Sequence, residues 1–285
     1  MMLFEAHFIQ QIIPLVLPLV FTGMLSGFMA GLLGVGGGII IVPILAYLLE
    51  ISGIHSDMPM HVAVGSSLAI IVPTSVISAR SHMSLGNVDF DVIRQLGPFV
   101  FVGAFGGAVV ASVLDNQALR LIFGLLAVII GISFIVRVVI IRTRLPDLAG
   151  RSVMGSMIGL ISALVGIGGG SLTVPCLVMC GWSMRRAVGT SALMGLVIAI
   201  PGMVSFMIVG FGSVPDLPLS VGFIWLPAVV IIASAAYFTT PLGARFSVKI
   251  DQSQLRRIFG VFLILVGLRL AYGGIQSGGL SLFGG

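Results

Sequence analysis

Apolar residues occupy the chain in long runs that short polar stretches separate. The runs are continuous rather than alternating, so they predict helices and not half-buried strands. Most approach the length of about 20 residues that a helix needs to cross a bilayer. Two are only 12 residues long, which corresponds to about 18 Å of helix. The predicted segments are 12–34, 39–50, 62–80, 94–114, 118–137, 152–166, 170–181, 187–209, 220–245 and 255–272.

The composition places these helices in a membrane. Of the 285 residues, 58% are hydrophobic and 8% are charged, whereas a soluble domain is about 25% charged. We therefore predict an all-α polytopic membrane protein, because continuous apolar runs argue against a barrel. The net charge of +5 does not indicate nucleic-acid binding, since the basic residues are scattered at segment ends. No Lys or Arg precedes Arg80, so the positive region of a cleavable signal peptide is not evident.

Two glycine clusters interrupt the apolar runs. The first lies in GLLGVGGGIIIVP, and ALVGIGGGSLTVP repeats the pattern 132 residues later. Glycine is a poor helix former, so each cluster should break a helix. The two 12-residue segments, 39–50 and 170–181, directly follow the clusters. We therefore predict two broken, re-entrant hairpins, each of which enters and leaves the membrane on one side.

The basic residues predict which loops face the cytoplasm. If both hairpins are re-entrant, six segments cross the membrane, and we take the loop at 138–151 as cytoplasmic. Twelve Lys and Arg then lie inside, at or beside the loops 80–94, 138–151, 181–187 and 245–257, and only Arg120 and Arg269 lie outside, as the positive-inside rule expects. Both termini come out external. One alternative stays open, because 12–34 is long enough for a full crossing, although Pro14 and Pro18 favour a separate irregular or interfacial piece.

The chain has the pattern of two copies of one unit. The glycine clusters match, Ala63–Ser67 matches Ala187–Ser191, and Gly107–Gly124 matches Gly243–Gly260. Each copy would contain one hairpin and three crossings. Since three is odd, the second copy would be inverted relative to the first. The predicted divisions are an irregular or interfacial 1–19, a first repeat 20–137, a linker 138–151, a second repeat 152–272 and a Gly-rich tail 273–285.

Converging broken helices predict an anion site. The first N–H groups of a helix have no intrahelical acceptor, and the helix dipole adds about half a positive charge there. Two such ends that meet near the midplane can bind an anion without a basic side chain. Hydroxyls can donate to an oxyanion, although small residues in these motifs also suit helix packing. The predicted substrate-binding residues are Gly36, Gly37, Gly38, Ile39, Ser66, Ser67, Gly168, Gly169, Gly170, Ser171, Thr190 and Ser191.

The two hairpins differ at equivalent positions. Thr173 is a further candidate beside Ser171, but the first hairpin has Ile39 and Ile41 there. The predicted site would then be asymmetric. The cluster spacing fails the dinucleotide fingerprint G-x-G-x-x-G. Gly34 and Gly38 do satisfy the G-x-x-x-G packing motif, which leaves the extra glycines unexplained.

Other polar residues have ordinary interpretations. Cys176 and Cys180 share a helix face and suit packing better than metal binding. We interpret His55, Asp57 and His61 as solvated loop residues, and Asp89 and Asp91 as polar helix termini. An intramembrane enzyme is a weaker hypothesis, because all four histidines fall at or near predicted ends or loops. No metal or cofactor is predicted, and an oligomer is possible but not indicated.

The glycine motifs, together with HVAVGSS, RAVGTSALM and the loop Gly86–Asp89, resemble the TauE/SafE family of sulfite and organosulfonate exporters, also called toluene-sulfonate uptake permeases. The resemblance covers roughly 20–272. It implies an inner-membrane permease, with a multi-pass fold, for a small sulfur-containing anion such as sulfite, sulfoacetate, another organosulfonate or thiosulfate. A small-anion channel is a near alternative, because both would use the same helix-end chemistry. The direction of transport and the coupling ion stay open.

Overall fold

Ten helices account for nearly all the regular structure in the described part of the chain. The computed structural model describes residues 2–34, 36–52, 58–136, 144–214, 217–247 and 252–278. Every predicted apolar segment is a helix over most of its length, so the all-α prediction is confirmed. The helices are α1 Met2–Leu33, α2 Gly38–Ile51, α3 Pro59–Ser84, α4 Phe90–Ser112, α5 Asn116–Ile135, α6 Leu148–Leu164, α7 Gly170–Met179, α8 Met184–Val209, α9 Leu226–Phe246 and α10 Gln252–Gly278.

A small hairpin replaces the start of one predicted helix. The segment predicted at 220–245 begins with two strands of two residues each, β1 Ser220–Val221 and β2 Ile224–Trp225, which pair antiparallel. Gly222 has a φ of 58°, a left-handed conformation that suits a tight turn. The helix α9 starts only at Leu226, with a proline in its first turn, a position where proline is favoured.

The N-terminal prediction of an irregular 1–19 is wrong. α1 is continuous from Met2 to Leu33 and includes Pro14 and Pro18, because an apolar helix packed among others tolerates proline. Its 32 residues correspond to about 48 Å. The Gly-rich tail predicted from 273 is also partly wrong, since α10 continues to Gly278.

Helix length separates the elements into two groups. Seven helices have enough apolar length to cross a membrane: α1, α3, α4, α5, α8, α9 and α10. The shorter apolar helices are α2 with 14 residues, α6 with 17 and α7 with 10. The prediction that the segments after the glycine clusters are too short to cross is therefore confirmed. α1 also has the length of a crossing, and the side of the N-terminus stays a prediction.

The helices pack in reciprocal pairs. α1 lies along α9 and α6 lies along α4, so that the first helix of each half packs against the other half. α3 pairs with α8, and α5 pairs with α10. Individual contacts repeat this pattern: a Cβ on Gly124 would lie 2.7 Å from Gly267 O, and one on the equivalent Gly260 would lie 2.6 Å from Gly131 O. The inverted relation between the two halves stays a prediction.

The paired helices surround a buried centre. α3 is the most buried of the seven span-length helices. The outer helices expose large apolar side chains, as expected of a surface that faces lipid. Examples are Leu17, Phe21, Val102, Ile129, Phe238 and Leu265.

Candidate functional site

The two glycine clusters contact each other at the centre of the molecule. A Cβ on Gly36 would lie 2.9 Å from the Cα of Gly168, and one on Gly38 would overlap the carbonyl oxygen of Gly166. Gly36 and Gly37 both have a φ of 77°, which disfavours any residue with a side chain. Glycine is therefore needed at these positions, because the two backbones approach so closely that a Cβ would not fit.

The half-helices begin at this contact. Gly37 is the N-cap of α2, and Ile40 and Ile41 donate their N–H groups to its carbonyl at 3.0 and 3.2 Å. Gly169 is the N-cap of α7, and its carbonyl accepts from Thr173 N at 2.8 Å. Neither cap supplies a side-chain hydrogen bond. The leading N–H groups of both helices thus lie beside the contact between the clusters.

All the predicted site residues are buried, and the clusters and the Ser/Thr motifs lie together. The set comprises Gly36, Gly37, Gly38, Ile39, Ser66, Ser67, Gly168, Gly169, Gly170, Ser171, Thr190 and Ser191. Their role in binding a substrate stays a prediction.

Hydrogen bonds from the Ser/Thr motifs connect the two halves of the chain. Ser67 Oγ donates to Gly166 O at 2.8 Å, and the single proton of Ser191 Oγ is shared between Val188 O at 2.8 Å and Gly34 O at 3.3 Å. Each motif therefore holds the hairpin of the other half. The sequence left helix packing open as the role of these small residues, and Ser67 and Ser191 have that role in the structure.

The first hydroxyl of each motif supports a helix start. Trp225 N donates to Ser66 Oγ at 2.8 Å, and Asp89 N donates to Thr190 Oγ1 at 2.9 Å. Trp225 and Asp89 are the N-caps of α9 and α4. Because an accepting hydroxyl keeps its own proton, Ser66 and Thr190 can still donate to a ligand.

Four other buried hydroxyls have no hydrogen-bond partner among the described residues: Ser75, Ser162, Ser171 and Thr173. Leaving a buried polar group unpaired costs about 1–3 kcal/mol, so the group calls for a ligand, a water or a moving neighbour. The sequence pointed to Ser171 and Thr173. It missed Ser75, which lies outside the repeated motifs, and Ser162, which directly precedes the second glycine motif but has the apolar Ala30 as its counterpart.

Charge is absent from this centre. The buried polar side chains of the described ranges are serines, threonines and two histidines, with no Lys, Arg, Asp or Glu. The helix ends and hydroxyls are therefore the donors that a ligand would meet. Among the same residues, no group of three His, Cys, Asp or Glu could hold a metal ion.

The histidine interpretation needs correction. His61 is not a solvated loop residue, since it lies in the first turn of α3, fully buried, with Nε2 2.9 Å from Ala111 O. His82 lies near the opposite end of α3 with Nε2 3.0 Å from Gly31 O. Each ring links α3 to a neighbouring helix, α4 for His61 and α1 for His82. The pattern of residues along the sequence does not show such contacts between helices. His55 and Asp57 lie outside the described residues.

Asp89 has more contacts than an ordinary polar terminus. Its carboxylate caps α4 and accepts from Trp182 Nε1 at 3.0 Å, and Arg186 lies 3.7 Å away. These residues line a polar cleft of about 440 Å³ with Gly181 and Ser183. The hydrogen bond from Trp182 is the main reason that the pKa of Asp89 lies below its usual value. Asp91, by contrast, is an exposed surface residue 3.9 Å from Arg94.

Comparison with known proteins identifies the family. The profile of the sulfite exporter TauE/SafE family matches residues 19–270. The chain belongs to this family. The TauE/SafE chain is also 36% identical over 243 residues to a probable membrane transporter protein of Haemophilus influenzae, covering 84% of this chain and 92% of that protein. No solved structure matches it significantly.

More distant relatives carry the same description. The probable membrane transporter protein YunE of Bacillus subtilis is 30% identical over 272 residues, covering 86% of this chain and 93% of that protein. A probable membrane transporter protein of Methanocaldococcus jannaschii is 28% identical over 240 residues, covering 83% of this chain and 88% of that protein. Together with seven span-length helices, these similarities make this TauE/SafE chain a multi-pass membrane transporter.

Proposed function

We propose that this chain carries a small sulfur-containing oxyanion across the inner membrane and binds it where α2 and α7 begin. The observation that carries the proposal is the contact between Gly36 and Gly168, at which both half-helices start in a buried region without charged side chains. Each helix start contributes unpaired N–H groups and about half a positive charge. Hydroxyls add neutral donors, which can release an anion more readily than a full positive charge would.

The reciprocal packing of the two halves supports a transport mechanism. In this proposal the halves are inverted repeats, each with one hairpin, and transport proceeds by rocking one half against the other around the site. The bonds from Ser67 and Ser191 to the opposite hairpins would change partners or lengths during that motion. The site would then open to one side at a time.

The sulfur chemistry comes from the family alone. The matching profile bears the name of a sulfite exporter, and helix ends with hydroxyls recognise oxyanions in general. Candidate substrates are sulfite, sulfoacetate, other organosulfonates and thiosulfate. No step of this proposal uses a nucleophile or a metal.

The test is flux of labelled sulfite and of a labelled sulfonate in vesicles that contain the purified protein. We expect saturable flux in the wild type and none in Gly37→Leu or Gly169→Leu. A Leu at 37 would require a left-handed backbone, and a Cβ at 169 would lie 2.8 Å from Gly195 N. The matched control is Gly106→Leu in α4, where a Cβ meets no atom within 4 Å.

Flux that both cluster variants retain would contradict the site.

A counterflow experiment distinguishes a transporter from a small-anion channel. Unlabelled substrate on one side should accelerate entry of labelled substrate from the other side in a transporter and not in a channel. Chemical analysis of the recovered anion separates both from an enzyme, which would return a changed molecule.

A further inference from the structure

The two half-helices begin in different surroundings. In the alignment set by Ala63–Ser67 and Ala187–Ser191, Gly195 corresponds to Ile71, and Ala199 corresponds to Ser75. The Ile71 side chain covers the start of α2, with Cγ2 3.4 Å from the Cβ position of Gly36 and Cδ1 2.9 Å from that of Gly38. The carbonyl of Gly166 packs on Gly38 as well. The start of α2 is thus already covered by protein atoms.

At the start of α7, polar groups occupy positions whose equivalents in the first half have apolar side chains. A Cβ on Gly195 would lie 2.7 Å from Ser75 Oγ and 3.6 Å from Gly169 N. An unpartnered, fully buried hydroxyl therefore lies beside the N-cap of α7, next to a residue without a side chain.

Thr173 also lies near the start of α7. It is one helical turn beyond Gly169, and Gly169 packs against α8 at Gly195 N, 2.8 Å from its Cβ position. Residues four apart share a helix face, and side chains lean toward the helix N-terminus. The Thr173 hydroxyl is fully buried and has no partner. Its counterpart in the first hairpin is Ile41, which is also fully buried.

Charge balance restricts the ligand. The start of α7 offers about half a positive charge and neutral hydroxyl donors. Burying a second negative charge without a cation is strongly unfavourable. Because no Lys or Arg is buried in the described ranges, this end suits one negative charge.

We propose that the substrate oxyanion binds on one side of the central contact, at the start of α7, held by Thr173 Oγ1, Ser75 Oγ and the backbone N–H of Gly169, and that this site selects singly charged oxyanions. The proposal rests on the proposed function and narrows its candidate substrates to hydrogen sulfite and monoanionic organosulfonates, because thiosulfate and sulfoacetate carry two charges at neutral pH. Ile41 and Ile71 form the apolar counterpart at α2, so the start of α2 contributes its helix dipole to the site but no direct hydrogen bond to the charged group.

The charge selectivity is tested with two tetrahedral anions of similar shape. Methanesulfonate carries one charge and sulfate carries two. Titration calorimetry on the detergent-purified protein should give methanesulfonate a Kd at least about tenfold lower, which is about 1.4 kcal/mol. Sulfate that binds equally well or better would overturn the proposal. If neither these anions nor sulfite bind, the proposed function fails, and this inference fails with it.

The residues are tested with Thr173→Val and Ser75→Ala. Each should raise the Kd for methanesulfonate about tenfold, because each loses a hydrogen bond to a charged group. Each should leave the melting temperature of the ligand-free protein unchanged or higher, since neither hydroxyl has a partner there. That combination distinguishes a ligand donor from a structural hydroxyl.

The matched control is Thr240→Val. Thr240 is equally buried, but its hydroxyl donates to Ala236 O at 2.7 Å. It should leave the Kd unchanged and not raise the melting temperature. Wild-type binding and flux with an unchanged Kd in both site variants would overturn this inference and leave the proposed function standing. A fall in ligand-free melting temperature in both would also overturn it, because the hydroxyls would then have structural partners.

Discussion

At the residue scale, the interior hydroxyls divide into two kinds. Those of the repeated motifs have partners, as Ser67 has in Gly166 O. Those near α7 do not, as Ser171 and Thr173 illustrate. A serine in an apolar segment looks the same in both cases, because its partner comes from a segment far away along the chain.

Asp89 gives a prediction at this scale. Because the Trp182 hydrogen bond lowers the pKa of Asp89, its stabilising effect is complete above the ordinary carboxyl value of about 3.9 and is lost as pH falls through the lower folded value. Trp182→Phe should reduce stability at pH 7 by about 1.5 kcal/mol, and the difference from wild type should shrink below about pH 4. Thermal unfolding in detergent across pH measures this.

Asp91→Asn is the control for that measurement. Asp91 is exposed, and its contact with Arg94 is a surface pair at 3.9 Å, worth at most about 1 kcal/mol. Its profile should follow the wild type. A stability gap between Trp182→Phe and wild type that is constant from pH 7 to pH 3 would contradict the role of the Asp89 carboxylate.

At the element scale, helix contacts depend on small residues at specific positions. Gly159 of α6 lies directly on the backbone of α4, where its Cβ would be 2.7 Å from Ala104 N. Such close approach is the usual basis of helix association in membranes. The sequence showed many glycines in apolar segments, but not which of them face a neighbouring helix.

Gly159→Ala tests this contact. We expect it to lower the free energy of unfolding by about 1–3 kcal/mol, because α4 and α6 must move apart. Gly106→Ala on α4 has no neighbour within 4 Å of the new Cβ and should be neutral or stabilising by up to about 1 kcal/mol. Denaturation in mixed micelles compares the two. Equal effects would show that the contact does not matter.

At the scale of the whole molecule, charged and aromatic contacts group by the end at which they lie. Arg120 pairs with Glu50 at 2.9 Å, and Arg269 lies 5.1 Å above the ring of Tyr47. These are the two basic residues that the sequence assigned outside. Arg151 bonds to Gln95 at 2.8 Å, at loops assigned inside. The sides themselves, with 138–151 cytoplasmic and the C-terminus external, stay a prediction.

Cysteine labelling tests these sides. In a variant without Cys176 and Cys180, Ser213→Cys should react with a membrane-impermeant thiol reagent on intact cells, and Arg144→Cys should react only after permeabilisation. Both positions are exposed. The reverse pattern would refute the orientation. Glu5→Cys reports the side of the N-terminus. It should be external, because α1 lies parallel to α9, with Gly23 against Ile232 and Gly31 against Thr240, and α9 is predicted to end on the inside.

The helical membrane class, the ten segments, the two short half-helices and the family could all be predicted without the structure. These follow from local properties, namely apolar length, glycine content and repeated motifs, which need no knowledge of neighbours. The sequence also placed the glycine clusters and Ser/Thr motifs in one region through the internal repeat. It failed at Pro14 and Pro18 and at His61, where packing against distant segments overrides local preference.

Tertiary contacts, by contrast, set which polar groups have hydrogen-bond partners and which helix start is not covered by protein atoms. Ile71 covers the start of α2, and Gly195 leaves Ser75 beside the start of α7. These contacts join residues more than 25 positions apart, so the sequence periodicity does not show them. The repeated motifs do not reveal this difference between the two helix starts. They mark positions where the two halves have similar residues, whereas the asymmetry comes from positions where the residues differ.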